Sequence, residues 1–187
     1  MKINTVIKNH IPNNNLSSKL WAEDTKMKPE IREALLKIAD LFIEYLGVSI
    51  DVIDITLTGS YANYNYTPYS DIDLHIIVDY DDLTEVEDLS KEFFHAKKSF
   101  WNDRHDIKIK GVEVELYAQN MSEPHSSSGV YSVDNNEWIV EPKKFKTEID
   151  AKAIKEKYKK IKLEIEESLK DAEKEEDINP INIMLQK

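Results

Sequence analysis

Two aspartates, Asp71 and Asp73, stand one residue apart in Ser70-Asp71-Ile72-Asp73-Leu74, ten residues after Leu57-Thr58-Gly59-Ser60. Alternate residues of a strand share a face, so a strand opening at Asp71 projects both carboxylates side by side. Adjacent carboxylates repel unless a cation lies between them. Mg2+ suits the place, because it takes oxygen ligands and commonly joins one or two carboxylates to substrate phosphates. Gly59 lets backbone approach a phosphate with no side chain in the way. The combination points to metal-assisted chemistry on a nucleoside triphosphate.

The surrounding pattern supplies the elements that position these groups. Pro29 opens a helix in which Ile31, Ala34, Leu35, Ile38, Leu41, Phe42, Tyr45 and Leu46 recur at helical spacing, and Gly47 ends it. A strand runs from Val52 to Thr58, and Tyr61 to Ser70 reads as a short helical turn and a loop. The second strand, Asp71 to Val78, puts Ile72, Leu74, Ile76 and Val78 on one face and Asp71, Asp73, His75 and Ile77 on the other. Asp81-Asp82 offers a helix start before Leu89, Phe93, Phe94, Ala96, Lys97, Phe100 and Trp101. Residues 106–119 alternate as a paired region around Gly111, which makes either a hairpin turn or a bulge. Gly129 to Ser132 and Glu137 to Val140 form short strands around Asp134-Asn135-Asn136. A last helix spans 149–172, with Ile154, Tyr158, Ile161, Ile165 and Leu169 on one face. The expected organisation is a loose arm over 1–20, one domain over 21–175 and a tail over 176–187. The fold class is α+β, a mixed β-sheet backed by helices.

Composition narrows the function. The absence of cysteine excludes disulfides and thiolate metal sites and fits a cytoplasmic protein. No run of 18 apolar residues occurs, so no membrane partner is expected, and Met1 to Asn15 lacks the apolar core of a secretory signal. A net charge of −11 argues against a protein that coats nucleic acid non-specifically.

Several other groups have a functional and a structural reading. His75 shares the aspartates' face but also fits a structural strand histidine. Lys108 and Lys110 either reach phosphates or belong to a solvated strand face. Tyr61, Tyr64, Tyr66 and Tyr69 either stack on a base or pack a loop. His125-Ser126-Ser127-Ser128-Gly129 lacks the G-x-S-x-G form of a nucleophile elbow and reads as a loop. Lys155, Lys157, Lys159, Lys160 and Lys162 give the last helix a basic first half, either an acceptor strip or a charged solvent face.

The spacing of Leu57-Thr58-Gly59-Ser60 and Ser70-Asp71-Ile72-Asp73-Leu74, with Val114-Glu115-Leu116 later, resembles the signature of the DNA polymerase β-like nucleotidyltransferase superfamily. More loosely, the chain is similar to small single-domain nucleotidyltransferases of tailed phages, which would place it in a host cell cytoplasm. The resemblance implies a transfer of NMP from an NTP such as ATP to a hydroxyl, releasing pyrophosphate. It implies two Mg2+ (or Mn2+) ions on Asp71, Asp73 and Glu115, with Glu113 as the alternative third ligand. It also implies that Gly59 and Ser60, with Ser70 of the motif, hold the nucleotide. The acceptor stays open between an RNA 3′ end, a protein side chain, a second nucleotide and a small molecule. Two departures matter. Tyr61-Ala62-Asn63-Tyr64-Asn65-Tyr66 stands where many members carry an Arg-Gly pair, and the third carboxylate is Glu rather than Asp. The alternatives are a nucleotide-binding module without turnover and a partner-dependent subunit of toxin–antitoxin type.

Overall fold

Helix α1 (Pro29–Leu46) starts on Pro29 and ends at Gly47, whose backbone N–H donates to Glu44 O. It buries Ile31, Leu35, Ile38, Ala39, Phe42 and Leu46. Leu41, expected on that face, is exposed, because the buried stripe is narrower than the run of apolar residues. The computed structural model describes residues 11–23, 25–144 and 150–174. The chain divides into two compact units, one of Pro12–Lys146 and one of Met1–Ile11 with Thr147–Lys187.

Within the larger unit, β1 (Val52–Thr58) and β2 (Ile72–Val78) pair antiparallel. Helix α2 (Glu87–Arg104) carries the chain over to β4 (Val112–Asn120), which lies parallel to β2. A parallel neighbour requires such a crossover. Short β3 (Lys108–Ile109) joins β4 through Lys110 and Gly111, both at positive φ, so Gly111 makes a tight hairpin and not a bulge. β5 (Val130–Ser132) and β6 (Glu137–Val140) complete the sheet. Among the described residues the order is β3-β4-β2-β1-β5-β6. This is the mixed α+β arrangement read from the sequence.

The sheet has one dry face. Ile72, Leu74 and Ile76 of β2, Leu57 of β1 and Leu116 of β4 join Leu35, Phe42, Phe94 and Trp101 of the helices in one core. Phe42 meets Trp101 edge-on at 5.4 Å. α2 begins at Glu87 rather than at Asp81-Asp82. Tyr80–Asp82 is a separate 3-10 turn capped by the Asp79 side chain. Of its expected apolar side only Phe94 and Trp101 are buried, with Ser90, while Leu89 and Phe100 are exposed.

Two residues of the expected loose arm, Leu16 and Leu20, join this core. Both are buried, and Asn13 donates to Tyr64 O and Tyr66 O at 3.0 and 2.7 Å. Next to it Trp21 donates to Tyr61 O at 2.7 Å and stacks on Trp138 at 4.6 Å. No regular period links these residues, which is why the pattern reads as loop.

In the smaller unit, α3 (Ala151–Lys174) leaves Ile161 and Ile165 about half exposed. Lys155, Lys157, Lys159, Lys160 and Lys162 are exposed, and Lys160 pairs with Glu164 at 3.8 Å and Lys162 with Glu166 at 3.5 Å. The Leu169 side chain and the tail over 176–187 lie outside what is described. No described helix is long and apolar enough to cross a membrane.

Candidate active site

The face of the sheet opposite the core is polar where Thr56 and Thr58 of β1, Asp73 and His75 of β2, and Glu115, Tyr117 and Gln119 of β4 alternate with core residues. Register sets the rows. Asp73 pairs with Thr58 on β1 and with Glu115 on β4. One step along, His75 pairs with Thr56 and Tyr117. Asp71 falls just before β2 rather than on it. Its carboxylate still senses Glu115, as does that of Asp73. Glu113 is paired with Lys108 at the outer hairpin and is exposed. Glu115, not Glu113, is thus the carboxylate beside Asp73.

Electrostatics follow from this crowding. Burial, then the charges of Glu115 and Asp71, push the Asp73 carboxyl up to about 6, and Lys98 offsets part of that. Burial and Glu115 also raise Asp71. Each group resists ionising because the others are already there. A divalent cation removes that resistance, so the donor set fits hard oxygen coordination. Among the described residues no group of three or more His, Cys, Asp or Glu side chains is placed to hold a metal ion.

The Gly59–Ser60 turn abuts this group. Gly59 has φ 67° and ψ −155°, a region essentially limited to glycine. A Cβ there would lie 1.8 Å from Asp73 Oδ2. The side-chain space that glycine leaves is therefore filled by the carboxylate. Ser60 opens a 3-10 turn, Ser60–Ala62, and Asn63 donates to Gly59 O at 2.6 Å. Ser70 Oγ accepts from Thr67 N at 2.9 Å and meets Thr67 Oγ1 at 3.2 Å. Its hydroxyl thus holds the turn that delivers Asp71.

Several residues that the sequence left undecided take definite places. His75 Nδ1 lies 2.6 Å from Gln119 Oε1 and Nε2 lies 3.1 Å from Thr58 Oγ1. A carbonyl can only accept, so Nδ1 donates to Gln119, while the Thr58 hydroxyl can donate to Nε2 or accept from it. Burial lowers the proton affinity of His75. His75 stacks on Tyr117 at 4.8 Å, and the Tyr117 hydroxyl donates to Glu115 Oε2 at 2.5 Å. Lys108 is paired with Asp106, and Lys110 forms the hairpin turn, so both lie on the outer hairpin. Tyr61 is a core residue stacked on Tyr66, whereas Tyr69 is exposed.

Sequence reading missed the wall of the site. A cavity of about 240 Å3 is lined by Thr58, His75, Tyr117, Gln119, His125 and Ser127 among others. Ser127 accepts from Asn63 Nδ2 at 3.0 Å, and Ser128 donates to Asn63 Oδ1 at 2.7 Å. The serine run is therefore a structural loop clasped to the Gly59–Ser60 turn. Asn63 carried no signal beyond its polarity in a tyrosine-rich loop. Gln119 was legible only through its even spacing from Glu115.

Comparison with known proteins adds two observations. The family described as "Nucleotidyltransferase domain" matches residues 31–184. A solved structure, that of the STING-associated CdnE c-di-GMP synthase from Capnocytophaga granulosa, is similar at 17% identity and a TM-score of 0.29. That similarity covers 69% of this chain and 46% of the other, so the chain spans under half the length of that protein. No curated protein matches.

Proposed function

The chain belongs to the nucleotidyltransferase domain family, and on that premise we propose that it moves an NMP from an NTP to a hydroxyl acceptor. Family membership supports use of an NTP. The reading of the site rests on one observation, the register that sets Asp73 beside Glu115 with Asp71 at the strand's mouth.

In this reading Asp71, Asp73 and Glu115 hold Mg2+ or Mn2+, and Gly59 and Ser60 hold the outer phosphates. The bound ions would lower the pKa of the attacking hydroxyl and neutralise charge on the leaving phosphates. The hydroxyl oxygen bonds to the α-phosphorus as the bond to the bridging oxygen breaks. Pyrophosphate leaves with that electron pair. The hydroxyl proton passes to water, since Glu115 is assigned to the ions and its Oε2 already receives the Tyr117 hydroxyl. Phosphoryl transfer asks mainly for positioning and charge compensation, and a sheet locked by paired strands supplies a rigid support for both.

The experiment is label transfer from each of the four NTPs, labelled at the α-phosphorus, with Mg2+ or Mn2+, into RNA, protein and small-molecule fractions. Label that is lost in Asp71→Asn and Asp73→Asn supports the enzyme and names the nucleotide. NTP binding with no labelled product in any fraction moves the function to a binding module.

A further inference from the structure

Resting on that reading, we propose that the acceptor carries a phosphate beside its reactive hydroxyl, that it is a nucleotide, and that Lys98 of α2 binds this phosphate. The argument begins with sidedness. Gly59 and Ser60 follow β1, and Glu115 belongs to β4, with β2 and Asp73 between them. In-line displacement puts the attacking oxygen opposite the leaving pyrophosphate. If the outer phosphates sit at Gly59–Ser60, the acceptor arrives over β4.

The edge of β4 is bordered by α2 where it would arrive. β3 pairs with Val112 and Glu113 and Ile107 O accepts from Val114 N, so beyond Val114 β4 has β2 as its strand partner and α2 along its other side. Asn102 fixes α2 to that edge. Its Nδ2 donates to Leu116 O and its Oδ1 accepts from Leu116 N, both at 3.2 Å. Lys98 lies one turn before Asn102, on the same face of the helix. The clamp therefore sets Lys98 above Tyr117, with its ammonium 3.7 Å from the ring centroid. The hydroxyl of the same ring is bonded to Glu115.

This places a cation on the acceptor side of the carboxylates. Its field reaches Asp73 and His75. Among the described residues, however, Lys98 has no ion-pair partner within 4.0 Å. A lysine held over an aromatic ring is weakly tethered compared with one bonded to phosphate. It is available to an anion and repels a polycationic acceptor. Beside it a groove of about 470 Å3 is lined by Tyr80, Phe94 and Tyr117 together with the charged Lys91, Glu92 and Lys98 of α2. Its size falls in the range of small-molecule sites, and its aromatic residues suit a base.

The test uses the full chain with labelled NTP and four acceptors: nucleoside 5′-monophosphates, the matching nucleosides, an RNA oligonucleotide with a free 3′-OH, and an aminoglycoside. Transfer to a nucleotide or to RNA but not to nucleosides is expected, and those two arms separate a free nucleotide from a strand end. Lys98→Met should raise KM for that acceptor about 10-fold, with a smaller change in kcat, and Lys98→Arg should recover most of the loss. Arg104→Met removes a positive charge from the same helix outside the groove and should leave the acceptor KM unchanged. Equal use of nucleosides, labelling of the aminoglycoside, or an unchanged acceptor KM in Lys98→Met overturns the inference while leaving the transferase standing. Failure of the wild-type chain to bind any NTP overturns both.

Discussion

The carboxylate of Asp73 occupies the space that a side chain at Gly59 would need. A Cβ on Gly59 would come 1.8 Å from Oδ2 and 2.8 Å from Cγ of Asp73. The glycine is thus required by the aspartate itself, and only secondarily by a phosphate. Gly59→Ala should displace Asp73 and lower label transfer by at least about 100-fold, the scale of losing one electrostatic contact in a phosphoryl-transfer site. Strain at φ 67° and ψ −155° adds about 1–3 kcal/mol of destabilisation. Gly111→Ala is the control, since φ is also positive there but a Cβ meets nothing within 4 Å. It should cost about 1 kcal/mol and leave transfer intact. Equal activity of the two variants, read beside their melting curves, would detach Gly59 from the chemistry.

The crowded carboxylates make the metal-free protein sensitive to pH in a definite direction. The Asp73 carboxyl is raised to about 6, chiefly by burial and then by Glu115 and Asp71. The folded state therefore binds this proton more tightly than the unfolded chain, whose aspartates titrate near 3.9. Its stabilising effect is complete below the unfolded value and disappears as pH rises through about 6. At pH 8 the ionised group is a burden of about 1 kcal/mol once solvent screening is allowed for. Asp73→Asn should raise the melting temperature of the metal-free protein at pH 8, and the gain should vanish toward pH 4. The same variant should abolish transfer. A gain that persists or grows at pH 4 would show that ionisation is not its origin.

Register distinguishes the two candidate glutamates. Glu115 lies beside Asp73, whereas Glu113 faces Lys108 on the outer hairpin. Glu115→Gln should lower kcat by about 100-fold or more, and Glu113→Gln by less than about 3-fold. Tyr117→Phe keeps the ring over which Lys98 sits but removes the hydroxyl bonded to Glu115. Loss of such an outer contact to a ligand typically costs about 10-fold or more in metal affinity or activity. A Mg2+ titration of the rate should therefore shift to higher concentration in Tyr117→Phe. Inversion of the two glutamate results would move the third carboxylate one pleat outward.

What could be read from the chain depended on how local its cause was. The period of 2 in Ile72-Asp73-Leu74-His75-Ile76 forecast both faces of β2, because burial on one side alone sets that pattern. The Gly59–Asp73 contact was not legible. It arises from register across two strands, and one glycine at a strand end is compatible with many turns. Burial of Leu16, Leu20 and Trp21 was hidden for a related reason, since isolated apolar residues in an irregular segment carry no period. Lys98 carried no signal in the sequence, since its place follows from the bonding of Asn102 to the edge of β4.

Asn63 ties the nucleotide turn to the wall of the cavity, and it does so with almost all its hydrogen-bonding capacity. Nδ2 donates to Gly59 O at 2.6 Å and to Ser127 Oγ at 3.0 Å, while Oδ1 accepts from Ser128 Oγ at 2.7 Å. The side chain is buried, so truncation leaves those partners unpaired where water has little access. Asn63→Ala should destabilise the fold by about 2 kcal/mol. Asn63→Asp keeps the shape but replaces both donated bonds with repulsion between oxygens, so it should be worse than alanine. Gly59 O is the atom that loses its donor, and the turn that shapes the Asp73 pocket then loosens. Transfer should consequently fall in Asn63→Ala even at temperatures where the protein remains folded. Denaturant melts and label transfer on the same sample check both statements. Full activity in a destabilised Asn63→Ala would show that the asparagine supports the fold without setting the geometry of the site.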